Sequence, residues 1–252
     1  MSRLQALQER RAWECRLTPD RALQSLDEAE AFLRDRGLLT RTPDCYLPSL
    51  FEACHEEPYK PGSRGFGSWP RTKYVWSFEL SARPGVYTVQ VHRGKTLYIS
   101  GGTAALLDPV CRAELARMEA DARYAWLLRH LADAGPSEVG DLRTELELSA
   151  RELKALRATL ERCGVIVSSG LVIERPEGHV HGAQLARWDQ VFPEPAQNGG
   201  GIEAVVVAGV RAAVVAPEPD VRKWFSWPID VDRLVADGRL DRPERGWVAL
   251  GM

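Results

Sequence analysis

The sequence predicts an α+β chain, mainly helical, built from tandem three-helix units that each end in a β-hairpin. Three observations lead there. Capping boxes precede amphipathic runs at Ser25/Glu28 and Ser149/Glu152. Between 137 and 173, helical signals give way to the β-branched pair Val165-Ile166-Val167 and Leu171-Val172-Ile173. After a Pro/Gly-rich connection the same order begins again. Three helices followed by a two-stranded wing describe a winged helix-turn-helix, and the repeat makes it tandem.

Taken in order, residues 2 to 17 carry Leu4, Leu7, Trp13 and Leu17 among Arg, Gln and Glu, an amphipathic helical pattern. Thr18-Pro19-Asp20 opens a further helical stretch with a cap and an early proline, and Leu26 to Arg36 forms the helix that Gly37 stops. Pro43-Asp44 marks a turn, and Leu47 to Ala53 a short helix. A helical segment from Pro70 to about Leu80 leads to strands at Val86–Val91 and Thr96–Ser100, joined by His92-Arg93-Gly94-Lys95. Asp108 to Ala134 reads as helix, with Tyr124, Leu127, Leu128 and Leu131 on one face. Ser137 caps a short helix through Leu146; the next runs from Ser149 to Cys163-Gly164, before a hairpin that turns at Ser168-Ser169-Gly170. Gln184 to Phe192 is expected to be helical, with His179 and His181 in a preceding solvated loop. Residues 202 to 215 admit either helix or strand, because β-branched residues favour strand while the repeated order needs a helix. The resulting division is 1–58, an N-terminal helical or winged-helix-like region; 59–107, a basic aromatic segment with the β-hairpin; 108–192, a winged unit; 193–201, a linker; and 202–252, a second winged unit.

Residues 59 to 100 stand apart in chemistry. Lys60, Arg64, Arg71, Lys73, Arg83, Arg93 and Lys95 face the single acid Glu79, a local charge of about +6 in a chain of net charge -2. Tyr59, Phe66, Trp69, Tyr74, Trp76, Phe78, Tyr87 and Tyr98 are interleaved with them. Cations neutralise phosphates and aromatic faces stack on bases, so the stretch has the makings of a nucleic-acid footprint; the competing reading is an aromatic core with a solvated rim. The third helix of the first winged unit buries Leu153, Leu156 and Leu160 and turns Arg151, Lys154 and Arg157 outward, where a recognition helix meets the major groove. Packing between domains would use the same helix equally well.

Composition excludes several classes. No apolar run reaches membrane-spanning length and the N-terminus carries no apolar leader, so a cytoplasmic protein is expected, with no membrane partner. Five scattered cysteines argue against a disulfide framework. Cys45, Cys54 and His55 lack a CxxC pair and a fourth ligand, so no metal is assigned, and no motif implies a cofactor. Gly62, Gly65 and Gly67 follow no strand and do not make a phosphate-binding fingerprint.

Several segments resemble the AlkZ-related proteins, a bacterial winged-helix family that includes DNA glycosylases acting on alkylation damage and interstrand crosslinks. They are Leu47-Pro48-Ser49-Leu50-Phe51-Glu52-Ala53, Trp76-Ser77-Phe78-Glu79-Leu80, the Tyr87 hairpin to Ile99-Ser100, Leu142-Arg143, and Trp227 before Leu234 to Leu240. The resemblance implies tandem winged helices forming a basic cradle for double-stranded DNA, and a Gln-x-Gln or Gln-x-Asp motif that positions a hydrolytic water. Here the corresponding residues read Gln90-Val91-His92, with His in the second position. On this reading Gln90 holds the water, and His92 or a nearby carboxylate, Glu52 or Glu79, takes its proton. Surface exposure of Glu52 and an ion pair of Glu79 with Arg71 or Arg83 are the alternatives. The candidate DNA contacts are Lys60, Arg64, Trp69, Arg71, Lys73, Trp76, Arg93, Lys95, Arg151, Lys154 and Arg157. The expected activity is hydrolysis of the N-glycosidic bond of an alkylated or adducted base. A DNA-binding regulator without catalysis, or a surface for a small anion or a protein, would use the same features.

Overall fold

The computed structural model describes residues 1–175, 178–197 and 199–251, with the backbone alone for 172–175 and 178–181. It is α+β, with three small antiparallel sheets. The elements are α1 (Arg3–Glu14), α2 (Leu26–Arg36), β1 (Leu38–Thr40), α3 (Leu50–Ala53), α4 (Trp76–Glu79), β2 (Val86–His92), β3 (Lys95–Ser100), α5 (Gly101–Glu119), α6 (Ala122–Ala134), β4 (Ser137–Glu138), α7 (Val139–Glu145), α8 (Ala150–Arg162), β5 (Ile166–Arg175), β6 (Gly178–Arg187), α9 (Trp188–Val191), α10 (Ile202–Ala213), β7 (Val215–Pro217), α11 (Glu218–Val221), α12 (Val231–Ala236), β8 (Leu240–Glu244) and β9 (Trp247–Leu250).

The order helix, strand, helix, helix, strand, strand occurs three times: α2 to β3, α6 to β6, and α10 to β9. Each time the last strand lies between the other two, in the sheets β1-β3-β2, β4-β6-β5 and β7-β9-β8. The first repeat is the one the sequence hides. Its opening strand β1 is only three residues long, and about twenty residues without α-helix or strand separate α3 from α4.

Local signals account for many boundaries. The Ser25 hydroxyl accepts from the Glu28 amide at 3.2 Å, and Gly37, at φ +82°, supplies the left-handed exit of α2. In α8 the Ser149–Glu152 capping box is complete. Elsewhere the expectations need correcting. The helix foreseen from 108 to 134 is two helices, broken at Ala120 and restarted where the Asp121 side chain caps α6. Ser137 belongs to a two-residue strand, with α7 beginning after it. The turn placed at Ser168–Gly170 is strand: β5 runs on to Arg175 and pairs with β6, which takes in Gln184–Arg187 and leaves only Trp188–Val191 helical. Arg175 opposite Gly178 closes that hairpin. His179 and His181, placed in a loop by the sequence, lie on β6, and their side chains fall outside the described residues. The segment foreseen as helix from Pro70 starts at Lys73 and is a 3-10 turn, a single α-turn and a second 3-10 turn.

Residues 202 to 213 are helical despite their valines, because Val205, Val206 and Val210 are all buried on one side. Gly209 is required there: a Cβ would stand 2.9 Å from the Trp224 ring. This contact belongs to the largest core. It joins the first sheet (Val89, Val91, Leu97, Ile99), α5 (Ala104, Leu107, Cys111) and the third repeat (Val206, Val210, Trp224, Leu234). Each such side chain contributes about 1.5–3 kcal/mol on burial. The second repeat closes on its own leucines, Leu127, Leu131, Leu142, Leu153, Leu160 and Leu185. Buried Asp108 ties α5 to α9 and to the segment after it: the carboxylate accepts from Arg112 at 2.8 Å, from the Trp188 indole at 2.7 Å and from the Ala196 amide at 2.9 Å. The proline- and glycine-rich segment 193–201 is thereby pinned at Ala196. Among the described residues, no helix is long and apolar enough to cross a membrane.

Candidate nucleic-acid interface

The hairpin β2–β3 comes against α8 at its turn. Gly94 sits at φ +79°, in the left-handed region that favours glycine, with the Arg162 side chain close above it: a Cβ there would be 2.9 Å from the Arg162 Nε. A groove of about 550 Å³ opens between them. Gln90 and Gly94 line one wall; Val139 and Arg143 of α7 and seven residues of α8 line the other. The α8 positions, Ala150, Leu153, Lys154, Arg157, Ala158, Glu161 and Arg162, follow helical spacing, so a single face of the helix is presented.

A register shift between Val89 and His92 decides which side chains reach this groove. Strict alternation would place Gln90 and His92 on the same face. The irregularity separates them: Val89, Val91 and His92 are all buried, while Gln90 turns to the groove. Behind the strand, the third repeat fixes it. The Val91 carbonyl accepts from both the Ser226 amide and its hydroxyl at 3.0 Å, and His92 Nδ1 donates to the Trp224 carbonyl at 2.6 Å. With Nδ1 carrying the proton, His92 Nε2 is an acceptor and takes a bond from Arg93 at 3.3 Å. Burial holds the imidazole below its ordinary pKa, so it is neutral near pH 7. His92 is thus a fully enclosed structural base, and the expectation that it works beside Gln90 is corrected by the bulge.

Other sequence candidates divide sharply. Lys154 and Arg157 share the groove face, joined by Arg143 and Arg162, which the sequence did not single out; Arg151 is exposed but does not line the groove. Arg157 bonds Glu161 Oε1 at 3.0 Å and the Ser168 hydroxyl at 3.2 Å, and that hydroxyl also donates to Glu161. Glu161 is therefore a buried carboxylate on the same groove as Gln90. Sequence reading missed it because a glutamate four residues after an arginine on a charged helix looks like an ordinary surface pair. Among the described residues, Arg143, Lys154 and Arg162 form no ion pair.

Lys73 is half-buried and turned toward the backbone of neighbouring segments. Its ammonium donates to the Leu23 carbonyl at 2.7 Å and the Cys54 carbonyl at 3.3 Å, and lies 5.2 Å from the Trp76 ring. Trp69 packs on Phe51 and Phe66, with the Arg41 guanidinium 4.3 Å from its ring centroid, and Trp76 is half-buried in the same cluster. These two rings support the fold of the insert. Lys60, Arg64, Arg71 and Arg93 are exposed. Lys95 is exposed too but pairs with Asp44. Glu52 lines a separate cavity of about 260 Å³ with Glu56 and Lys60, away from the Gln90 groove. Glu79 is exposed, and the expected pairing with Arg83 is absent: Arg83 bonds Asp27 at 2.7 Å and reaches Glu30 at 3.6 Å. Neither carboxylate lines the Gln90 groove.

One group among the described residues has metal-ligand composition. Asp44, Cys45 and His92 offer donor atoms within 4.8 Å of one another. Lys95 and Arg93 already occupy the carboxylate and the imidazole nitrogen, and burial pushes the Cys45 thiol up to about 12, leaving it protonated. The cluster reads as a neutralised junction between the hairpin and the 41–47 loop. Cys54 and His55 take no part in it, bonding the Leu50 and Arg16 carbonyls instead. No family model, curated protein or solved structure matches the chain.

Proposed function

We propose that the chain is a tandem winged-helix protein that binds double-stranded DNA along α8 and hydrolyses the N-glycosidic bond of alkylated or adducted bases in the groove beside it. The assignment of winged units rests on the helix, strand, helix, helix, strand, strand order with the last strand central, in which α8 takes the place of a recognition helix. The observation that carries the reading is that Gln90 lines the same groove as Arg143, Lys154 and Arg162, with the carboxylate of Glu161 beside them.

The chemistry needs little more. A base alkylated on a ring nitrogen is already a cation, so its glycosidic bond breaks with the electron pair passing to the base nitrogen, leaving oxocarbenium-like charge on the sugar. Water held by the Gln90 amide adds at the anomeric carbon and loses its proton to bulk water or a carboxylate. His92 has no part in the step.

The test is incubation with a duplex treated with a methylating agent, reading free methylated purine and abasic sites. Release by the wild type, lost in Gln90→Ala while DNA binding persists, is the expected result; binding without any abasic sites removes the catalytic half of the proposal. That outcome would leave a DNA-binding regulator, a reading favoured by one observation: the second polar residue of the Gln-x-His pair is closed off inside the fold.

A further inference from the structure

The segment between α3 and α4, taken together with α4, has no role in the α8 groove, yet it carries four of the six exposed large hydrophobic side chains among the described residues. Tyr59, Phe66, Val75 and Phe78 are 58%, 47%, 36% and 52% exposed, and among the described residues only Met1 and Trp13 are other large hydrophobics so exposed. Three exposed cations, Lys60, Arg64 and Arg71, accompany them, and residues 58 to 78 contain no acid.

This surface is not a loose loop. The Glu56 carboxylate accepts from the Thr72 amide at 3.1 Å, the Thr72 hydroxyl at 2.6 Å and the Lys73 amide at 2.9 Å, closing the base of the segment. Tyr59 donates its amide to the Trp69 carbonyl at 2.7 Å, and Lys60 does the same to Gly67 at 2.7 Å, so the two arms run together. Tyr59 and Phe66 stand 5.6 Å apart at 56°, and Phe66 leans on Trp69 and Tyr74 from behind. A hydrogen-bonded base carries rings that are half in water, and the exposed cations Lys60, Arg64 and Arg71 of the same segment form no ion pair among the described residues. An apolar core does not leave its rings half in water, and a solvated rim does not need aromatic ones.

We propose that this insert is a binding site for unpaired nucleic-acid bases, with Tyr59 and Phe66 as the stacking platform and Lys60, Arg64 and Arg71 on the flanking phosphates. Single-stranded polynucleotide offers what the surface lacks, flat π-faces joined by negative charge. Pre-positioned rings bind without an ordering cost. The inference extends the DNA-binding reading above to locally unpaired strands, and it stands or falls separately from hydrolysis at Gln90.

The test is fluorescence anisotropy with a labelled oligothymidine and with a fully paired duplex, comparing wild type, Tyr59→Ala/Phe66→Ala and Arg143→Ala/Lys154→Ala. Both substituted pairs are exposed or half-exposed, and unchanged melting curves establish that each variant folds. Loss of about tenfold or more in single-strand affinity for the aromatic variant, with duplex affinity held within about twofold, supports the site. The groove variant should show the converse. Unchanged single-strand binding in Tyr59→Ala/Phe66→Ala overturns the proposal. So does cosedimentation with phosphatidylserine vesicles that depends on these rings while single-strand binding does not, because the surface would then be a lipid contact.

Discussion

Salt dependence gives the most direct measurement of the α8 groove. A protein that neutralises Z phosphates loses affinity for duplex DNA with a slope of about -0.9Z in log K against log salt. Arg143, Lys154 and Arg162 line the groove without ion pairs among the described residues, whereas Arg157 is already held by Glu161. Taking the three free bases gives a groove slope of about -2.7, or about a 40-fold loss between roughly 50 and 200 mM salt. Lys154→Ala should reduce the slope by about 0.9, leaving about a 12-fold loss over the same range. If exposed bases of the insert also touch the duplex, both slopes steepen together and the difference of about 0.9 remains. Anisotropy titrations of one duplex at several salt concentrations read the slopes directly. Equal slopes for wild type and Lys154→Ala would refute the placement of phosphates along α8, and a wild-type slope near zero would refute polyanion binding altogether.

Two further outcomes come from the packing around the site. Asp108→Ala leaves the Trp188 indole N–H and the Ala196 amide without their acceptor and removes the partner of Arg112, so it should cost about 3–5 kcal/mol in urea unfolding; a loss under about 1 kcal/mol would show that water replaces the carboxylate. His92 has its pKa lowered by burial, so the folded state resists protonation; its contribution to stability is full above the unfolded value near 6.5 and is lost as pH falls through the lower folded value. Melting temperature should therefore drop on acidification from neutral pH, and His92→Asn, which keeps a donor for the Trp224 carbonyl, should flatten that part of the curve; an unchanged acid limb would mean other groups control it.

How far the sequence could carry these conclusions depends on the range of the forces involved. α2 and α8 were legible because their start signals are local: a serine, a glutamate three residues on, and an apolar period. The opening strand of the first repeat was not, since Leu38–Thr40 is too short to show alternation and becomes strand only by pairing with β3. Residues 202 to 213 could not be resolved, because valine-rich sequence suits a strand and only burial against Trp224 through Gly209 makes the helix the better state. Within the site, Gln90 was readable as a polar residue in a hairpin. Its separation from His92 was not, because a bulge is set by what the strand docks on, here residues 224 to 226, more than a hundred positions away. The inward placement of Lys73 was hidden for the same reason: its acceptors are the Leu23 and Cys54 carbonyls, which composition around residue 73 cannot reveal.

Taken as a total, a net charge of -2 opposes a polyanionic partner, but the distribution of pairing changes what the total means. In the third repeat Arg222 and Arg242 share Glu218 and Asp232, while Arg233 and Arg239 lie on Glu203. In the second, Arg187 is held by Glu119 and Asp189. At physiological ionic strength the screening length is about 8 Å, so each such pair is nearly neutral to a ligand beyond its immediate neighbourhood. What a strand of nucleic acid meets at contact distance is the remainder. On α7 and α8 that remainder is Arg143, Arg151, Lys154 and Arg162, and on the insert Lys60, Arg64 and Arg71, none of them in an ion pair among the described residues. If the proposed nucleic-acid binding holds, removing the cations of these two patches should weaken it more than removing as many paired arginines would.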